Sequence, residues 1–473
     1  MSKMRLLIPM SIQFSVRYVL RTGLLNRLRE VVKPVVLLDW HDDELERELK
    51  QLGAEVHFFI PARSSPEYDR TRSWMNLVYK RRLNTPSDAL WERRADLDRS
   101  MYNRLRRRVR KQALLLFVST TGGEEALRRK EQKLFETDTN SREVQRQIDE
   151  LRPDAAFSVT PYFENEHMAL RACSARGAPL CTAILSFDNV TTRGWIPVDF
   201  DQYLMWNRYN AQELLRSYPH IKPSQVGIVG SPQFDFYWDP SFCFDERDWR
   251  RQMSLPPRVP VILYGGGHHV CARHEPRFLQ QIDDAIERNE IPKETVVLFR
   301  NHPVDTIERW LPVLKNARHI VCDDPSSGGR VTGRTNLRRE DIQRLASTLA
   351  HTQVHVNVAS TMTVDGAIFD RPQVGPGYDN TFGGKYDQTA RDLYLQEHYL
   401  PITRSGGLEI AHDGQQLIRA IRSGIEDPGR LAEGRKRIVR EICTYDDGRA
   451  TERVAESVRT FLDQNVPARH AVA

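Results

Sequence analysis

The sequence predicts an α/β protein of two doubly wound domains, each a parallel sheet with helices on both faces, opposed across a cleft. Three observations predict it. Short apolar runs rich in β-branched residues alternate with polar, periodic stretches along most of the chain, the pattern of strand–helix units in a parallel sheet. The chain has 473 residues, more than the ~250–300 that one hydrophobic core serves. Two of the apolar runs end on compact polar motifs, Phe299-Arg300-Asn301-His302-Pro303 and Ser360-Thr361-Met362-Thr363-Val364-Asp365. In open parallel sheets, ligands bind at the carboxyl ends of the strands.

The first domain, 1–215, takes its strands from Leu6–Pro9, Pro34–Leu38, Glu55–Ile60, Ala155–Thr160, Cys181–Phe187 and Gln202–Trp206. Leu24–Val31 and Asp43–Leu52 are its cleanest helices, with apolar residues three and four apart. The long charged segment 81–152 interrupts this alternation and reads as a helical insertion, with Ala113–Val118 its one strongly apolar patch.

The second domain, 216–448, opens after Tyr218-Pro219. Its strands are Val226–Val229, Val261–Tyr264, Thr295–Phe299, Ile320–Cys322, Val354–Val358 and Gln373–Val374. Pro276–Arg288, Thr306–Lys315, Asp341–His351, Thr361–Phe369 and Gly414–Ile425 fit helices between and after them. The remainder, 449–473, reads as an amphipathic helix with Val454, Val458 and Leu462 on one stripe, followed by a tail; it is expected to pack back on the first domain.

Composition narrows the function classes. Hydrophobic residues make up 40% and charged residues 28%, which is ordinary for a globular chain and excludes a disordered one. Lys and Arg number 69 against 63 Asp and Glu, a net +6 spread over a large surface, so nucleic acid is not an expected partner. The clearest local excess is Arg104, Arg106, Arg107, Arg108, Arg110 and Lys111. As a helix, this segment places Arg104, Arg107, Arg108 and Lys111 on one face and Met101, Leu105 and Val109 on another. That is either a site of peripheral contact with anionic lipid or a solvated charged face. The amino-terminal Lys3 and Arg5 precede Leu6-Leu7-Ile8-Pro9, but Gln13 and Arg17 break the apolar run, so a first strand is read there and not a signal peptide. Six scattered cysteines without metal-ligand spacing fit a reducing compartment. A cytoplasmic protein, peripheral at most to the inner face of a membrane, is expected.

The two polar motifs suit a nucleotide diphosphate. Free N–H groups at a helix start and the positive end of its dipole favour phosphate, and Ser360 and Thr361 add hydroxyl donors. Asp365, one turn on, stands where it can accept from ribose hydroxyls. Arg300 and His302 at a strand end can neutralise charge on a departing nucleotide. Tyr264-Gly265-Gly266-Gly267-His268-His269 lets backbone approach a ligand at Gly266, with His268 or His269 donating to phosphate. Each motif also has a plain structural reading: His302-Pro303 ends a strand, Ser360 caps a helix, and the glycines form a turn.

The run Phe187-Asp188-Asn189-Val190-Thr191-Thr192-Arg193-Gly194, with Phe200-Asp201-Gln202-Tyr203-Leu204-Met205-Trp206-Asn207 and Gly230-Ser231-Pro232-Gln233-Phe234-Asp235, resembles bacterial GT-B-fold transferases of surface-polysaccharide assembly. Arg300-Asn301-His302-Pro303 and Ser360 to Ala367 extend the likeness to motifs shared by the CDP-glycerol glycerophosphotransferase-like and UDP-N-acetylglucosamine 2-epimerase-like groups. The resemblance covers roughly residues 155–465. It implies two Rossmann-like domains. It also implies that His302 and Arg300 face the donor's diphosphate, that Ser360 and Thr361 bind phosphate oxygens, and that Asp365 holds the ribose. Epimerase-like members carry two glycines after the serine, where this chain has Thr361 and Met362.

The expected function is metal-independent transfer of a sugar from a nucleotide-sugar donor to a polysaccharide or lipid-linked acceptor by direct displacement. Such a reaction needs a base for the acceptor hydroxyl. Asp188, past the strand Cys181–Leu185, is the first candidate, and His167, beside Glu164 and Glu166, the second. Asp188 equally suits the cap of a turn over Thr191 and Thr192. Arg17 and Tyr18, with Arg21, follow the first strand, where acceptor contacts are expected. Asp199-Phe200-Asp201 precedes a strand and so shapes a turn instead of holding a cation. His268, His269 and His274 lack coupled cysteines or an acid at ligand spacing, so neither a metal nor a further cofactor is expected. The alternatives are a glycerophosphotransferase, in which His302 or a glycine-loop histidine carries more of the chemistry, a sugar 2-epimerase, and a non-catalytic nucleotide-sugar-binding protein.

Overall fold

The computed structural model describes residues 3–97, 99–269, 271–303, 305–324, 334, 336–379 and 389–466; the expected tail beyond them, 467–473, lies outside the described residues. The chain divides into two compact units, one running to Gly230 and resuming at Ala450, the other Ser231–Arg449.

The first unit is built on a seven-stranded sheet of order β3-β2-β1-β4-β5-β6-β7. The strands are β1 (Met4–Met10), β2 (Val32–Leu38), β3 (Glu55–Phe58), β4 (Ala155–Ser158), β5 (Leu180–Ala183), β6 (Gln202–Met205) and β7 (Val226–Ile228). Every pairing is parallel. Side chains alternate across a strand, so β1 sends Leu6, Ile8 and Met10 into one core and Leu7 into another. The first core is closed by the helix Ala450–Asn465 through Val454, Val458, Phe461 and Leu462. The second is closed by the insertion, through Tyr68, Tyr79, Phe135 and Ile148. Burying both faces explains the unbroken apolar runs Leu6–Met10 and Val35–Leu38.

Capping sets several helix starts. Asp42 accepts from the Leu45 N–H at 2.9 Å to open Asp43–Gln51. Ser65 accepts from the Tyr68 N–H at 3.1 Å to open Pro66–Leu83. The insertion begins there, earlier than its charge suggests, and continues as Pro86–Leu97, Met101–Ser119, Gly123–Asp138 and Ser141–Leu151.

The second unit has six parallel strands in the order β10-β9-β8-β11-β12-β13. They are β8 (Val261–Gly265), β9 (Val296–Arg300), β10 (Ile320–Asp323), β11 (Val354–Asn357), β12 (Gln373–Pro376) and β13 (Leu408–Ala411). In both sheets the order reverses between the first and fourth strands of the unit, β1/β4 and β8/β11. Such a reversal leaves a crevice at the carboxyl ends.

Three features depart from the sequence expectation. The run at Val226, expected to open the second sheet, pairs parallel with β6 and completes the first. Only Leu311–Leu314 of the expected helix from Thr306 to Lys315 is helical; Asp305 and Arg309 hold the preceding turns to the glycine loop at His269 and Gly267. Strand β13 was not expected; its four residues include Glu409, which breaks the apolar signal.

Candidate functional site

The carboxyl edge of the second sheet is built in register. Gly265 of β8 lies beside Arg300 of β9 and Asn357 of β11, and Arg300 lies beside Asp323 of β10. The residues that follow these strands, His268, His302 and Ser360, therefore emerge from three neighbouring strands, each about 4.8 Å from the next. Segments far apart in sequence are brought to the switch point of one sheet.

The rings of His268 and His302 stand 6.1 Å apart and nearly perpendicular, at 83°. Burial, aided by His268, drops the His302 imidazole to about 4. Burial, with His269 beside it, also lowers His268. The lowered values favour the neutral form of both rings, in which one nitrogen accepts and the other donates.

Around them the loops are held by one arginine. Arg309 donates to Asp305 at 2.5 Å, to Glu275 at 3.1 Å, to the Ala272 carbonyl at 3.0 Å and to the Gly267 carbonyl. Its guanidinium also lies 4.4 Å from the Trp310 ring centroid. The Gly267 N–H donates to both oxygens of Glu275, at 2.9 and 3.1 Å. Burial pushes that carboxyl up to about 7, against the pull of Arg309. Asp305 is raised by its own burial, yet His269 and Arg309 outweigh this and hold it below the ordinary carboxylate range.

Ligand atoms of His268, His269 and Asp305 lie within 4.8 Å of one another, which makes them the described residues able to hold a metal. Spacing along the chain did not show the acid, because Asp305 comes from the loop after β9. Its carboxylate already carries the Arg309 guanidinium, so a second cation there meets a fixed positive charge.

Beyond β11, Asn357 accepts from the Ser360 N–H at 3.2 Å and the Thr363 hydroxyl at 2.9 Å. Tyr399 shares a 2.8 Å hydrogen bond with Thr363. Ala359 takes the left-handed conformation, φ 42°, to make this turn. Ser360 accepts from the Met362 N–H at 3.2 Å, a local turn bond just before the helix, and stays half-buried. Thr361 is exposed, and Asp365 is buried with one oxygen accepting from Tyr237 at 2.6 Å. Met362, at the position where epimerase-like chains have glycine, stands against Gly265, where a Cβ would come within 2.5 Å of its sulfur.

Two donor-site expectations need correction. Arg300 is not turned to a diphosphate: it is buried and its guanidinium donates to Asp323, which Arg344 also approaches at 3.5 Å. Its place is the sheet. The Gly266 N–H is spent on the Arg300 carbonyl at 2.9 Å. Glycine is needed there for packing, since a Cβ would press to 3.1 Å on both Phe299 and Trp310.

In the first unit the expected bases and acceptor contacts have other work. His167 has no exposed surface; burial holds it well below its usual value, and Tyr68 lies 3.4 Å from its Nε2. Asp188 accepts from Ser186, from Thr192 at 2.9 Å and from Asn189 at 3.3 Å, which is the turn-shaping role. Tyr18 is in the core, and Arg17 is half-buried with its guanidinium 5.2 Å from the Phe14 ring centroid.

The residue that sequence reasoning passed over is Glu166. At the switch point of this sheet it accepts from Ser158 at 2.7 Å, from the Ser11 N–H at 3.2 Å and from Thr160. Burial raises it to about 7, against these hydrogen bonds. The available signal was the hydroxyl cluster Ser11, Ser15, Ser158 and Thr160 at the ends of the first and fourth strands.

The family model of CDP-glycerol:poly(glycerophosphate) glycerophosphotransferase matches residues 188–460. No curated protein matches the chain. Among solved structures, the S. aureus MnaA–UDP co-structure superposes with TM-score 0.55 at 10% identity, covering 97% of each chain. A UDP-GlcNAc 2-epimerase from Neisseria meningitidis bound to UDP-GlcNAc gives 0.54 at 10% identity, covering 97% of this chain and all of its own. A glycosyltransferase from Rickettsia africae gives 0.52 at 11% identity, covering 97% and 99%. At these identities the likeness shows the fold, two Rossmann-like units of GT-B type.

Proposed function

From a chain that belongs to the CDP-glycerol:poly(glycerophosphate) glycerophosphotransferase family, we propose a transferase of cell-envelope polymer assembly that moves a polyol-phosphate unit from a CDP-activated donor to an acceptor hydroxyl. The donor sits at the carboxyl edge of the second sheet. Ser360 and Thr361 approach its phosphates, and Asp365 accepts from the ribose.

The acceptor hydroxyl attacks the distal phosphorus of the donor. A new P–O ester bond forms, the bond to the anhydride oxygen breaks, and CMP leaves. The proton of the hydroxyl passes to a ring nitrogen of His302, while His268 donates to a phosphoryl oxygen. The observation that carries this reading is the pair of neutral, perpendicular imidazoles 6.1 Å apart after β8 and β9. An anionic donor beside them raises the basicity of both rings toward working pH.

Sugar transfer from a nucleotide sugar is the second reading, favoured by the fold shared with the Rickettsia africae glycosyltransferase. The two differ in what leaves. Protein incubated with CDP-glycerol and a hydroxyl acceptor is expected to release CMP and leave phosphate in the product, with His302→Gln inactive. Release of a nucleoside diphosphate from a nucleotide sugar, with no phosphate transferred, supports the second reading. Turnover of UDP-GlcNAc with no acceptor present supports an epimerase and rejects both.

A further inference from the structure

The helix Met101–Ser119 carries six basic residues and no acidic one. It also holds six of the twelve large apolar side chains that stand exposed among the described residues. Met101 is 85% exposed, Tyr102 and Leu116 71%, Leu105 62% and Val109 59%, with Phe117 also out. The helix thus presents six apolar side chains outward, unlike an ordinary surface helix.

The wheel sorts the two faces. At about 100° per residue, Met101, Leu105, Leu116, Val109 and Tyr102 fall within an arc of about 100°. Arg108 borders that arc on one side, and Arg106 and Arg110 on the other. The opposite face packs inward. Arg107 pairs with Asp96 at 3.1 Å and Lys111 with Glu92, while Leu115 is buried and Leu114 and Val118 pack on Met75, Val78 and Leu127. Arg108 reaches Asp96 only at 3.9 Å. The insertion therefore neutralises the inner basic residues with carboxylates of its own and leaves an apolar stripe with arginines on both borders.

An apolar stripe flanked by arginines matches the boundary of an anionic bilayer, where acyl chains lie beneath a layer of phosphates. No described helix is long and apolar enough to cross a membrane, so this one lies in the plane of the interface. We propose that the helix Met101–Ser119 docks the protein on an anionic bilayer. Met101, Leu105, Val109 and Leu116 enter the acyl boundary, and Arg106, Arg108 and Arg110 meet lipid phosphates.

The test is co-sedimentation of the full chain with vesicles of phosphatidylcholine alone and of phosphatidylcholine mixed with phosphatidylglycerol. Binding is expected with the mixed vesicles and to weaken as salt rises. Leu105→Asp with Leu116→Asp and, separately, Arg106→Glu with Arg110→Glu are expected to reduce it by at least about tenfold. These side chains are exposed, and unchanged thermal melting shows that the variants fold. No binding to mixed vesicles, or equal binding by folded variants, overturns the proposal. So does a concentration-dependent dimer in light scattering that Leu105→Asp with Leu116→Asp abolishes, since the stripe then belongs to a second copy.

Discussion

Tyr237 donates its hydroxyl to a carboxylate oxygen of Asp365 at 2.6 Å, joining the segment Pro232–Trp238 to the helix Met362–Ile368. Asp365 is thereby held in place by Tyr237 before a ligand arrives. A nucleotide at ~100 times its dissociation constant stabilises the protein by about 2.7 kcal/mol. Asp365→Ala is expected to abolish that thermal shift. Tyr237→Phe is expected to cost ~1 kcal/mol of stability and to weaken the shift without removing it. A full shift in Asp365→Ala removes the ribose role.

His302 controls an acid limb. Its folded value of about 4 lies below the ordinary 6.5. Between those values the unfolded chain takes up a proton and the folded chain does not, so stability falls as pH drops through this window. The buried His355, lowered to about 3, acts in the same direction. His302→Gln is expected to lower turnover by ~10²–10⁴ and to soften the decline in melting temperature below pH 6.5. An acid limb of kcat/KM near 6.5 in the free enzyme contradicts a buried neutral base.

Glu166 works with the opposite sign. Its folded value of about 7 lies above the ordinary 4.5, so the folded chain holds a proton that the unfolded chain has released. Its contribution is full below 4.5 and fades as pH rises through 7. Glu166→Gln keeps acceptor and donor atoms in place and is expected to flatten that alkaline decline in a series of thermal melts. An unchanged slope would mean that Glu166 is ionised throughout.

Arg300 and Asp323 are a buried ion pair across two strands. Removing one partner of a buried pair costs up to ~3–5 kcal/mol, and Arg344, 3.5 Å from Asp323, offsets part of it. Arg300→Ala is expected to lose that stability in urea unfolding. If instead its stability is unchanged and only donor affinity drops, Arg300 belongs with the ligand after all.

Much of the architecture was legible because parallel strands buried on both faces favour continuous apolar runs, as at Val261–Gly265. The polar motifs after β9 and β11 were legible as strand ends, and the register of the sheet sets them on one edge. Short elements were not legible: β7 has three residues, and which sheet it joins depends on the partner that satisfies its backbone.

Residue identity and order determined the strand–helix alternation, the basic run of the insertion and the candidates for chemistry, since these follow from local periodicity and composition. Which candidates stay available was decided only in three dimensions. Asp323 takes up Arg300, burial silences His167, and Glu275 occupies the Gly267 amide. Partner choice and desolvation depend on groups distant in sequence, and they change what a side chain can do without changing what it is.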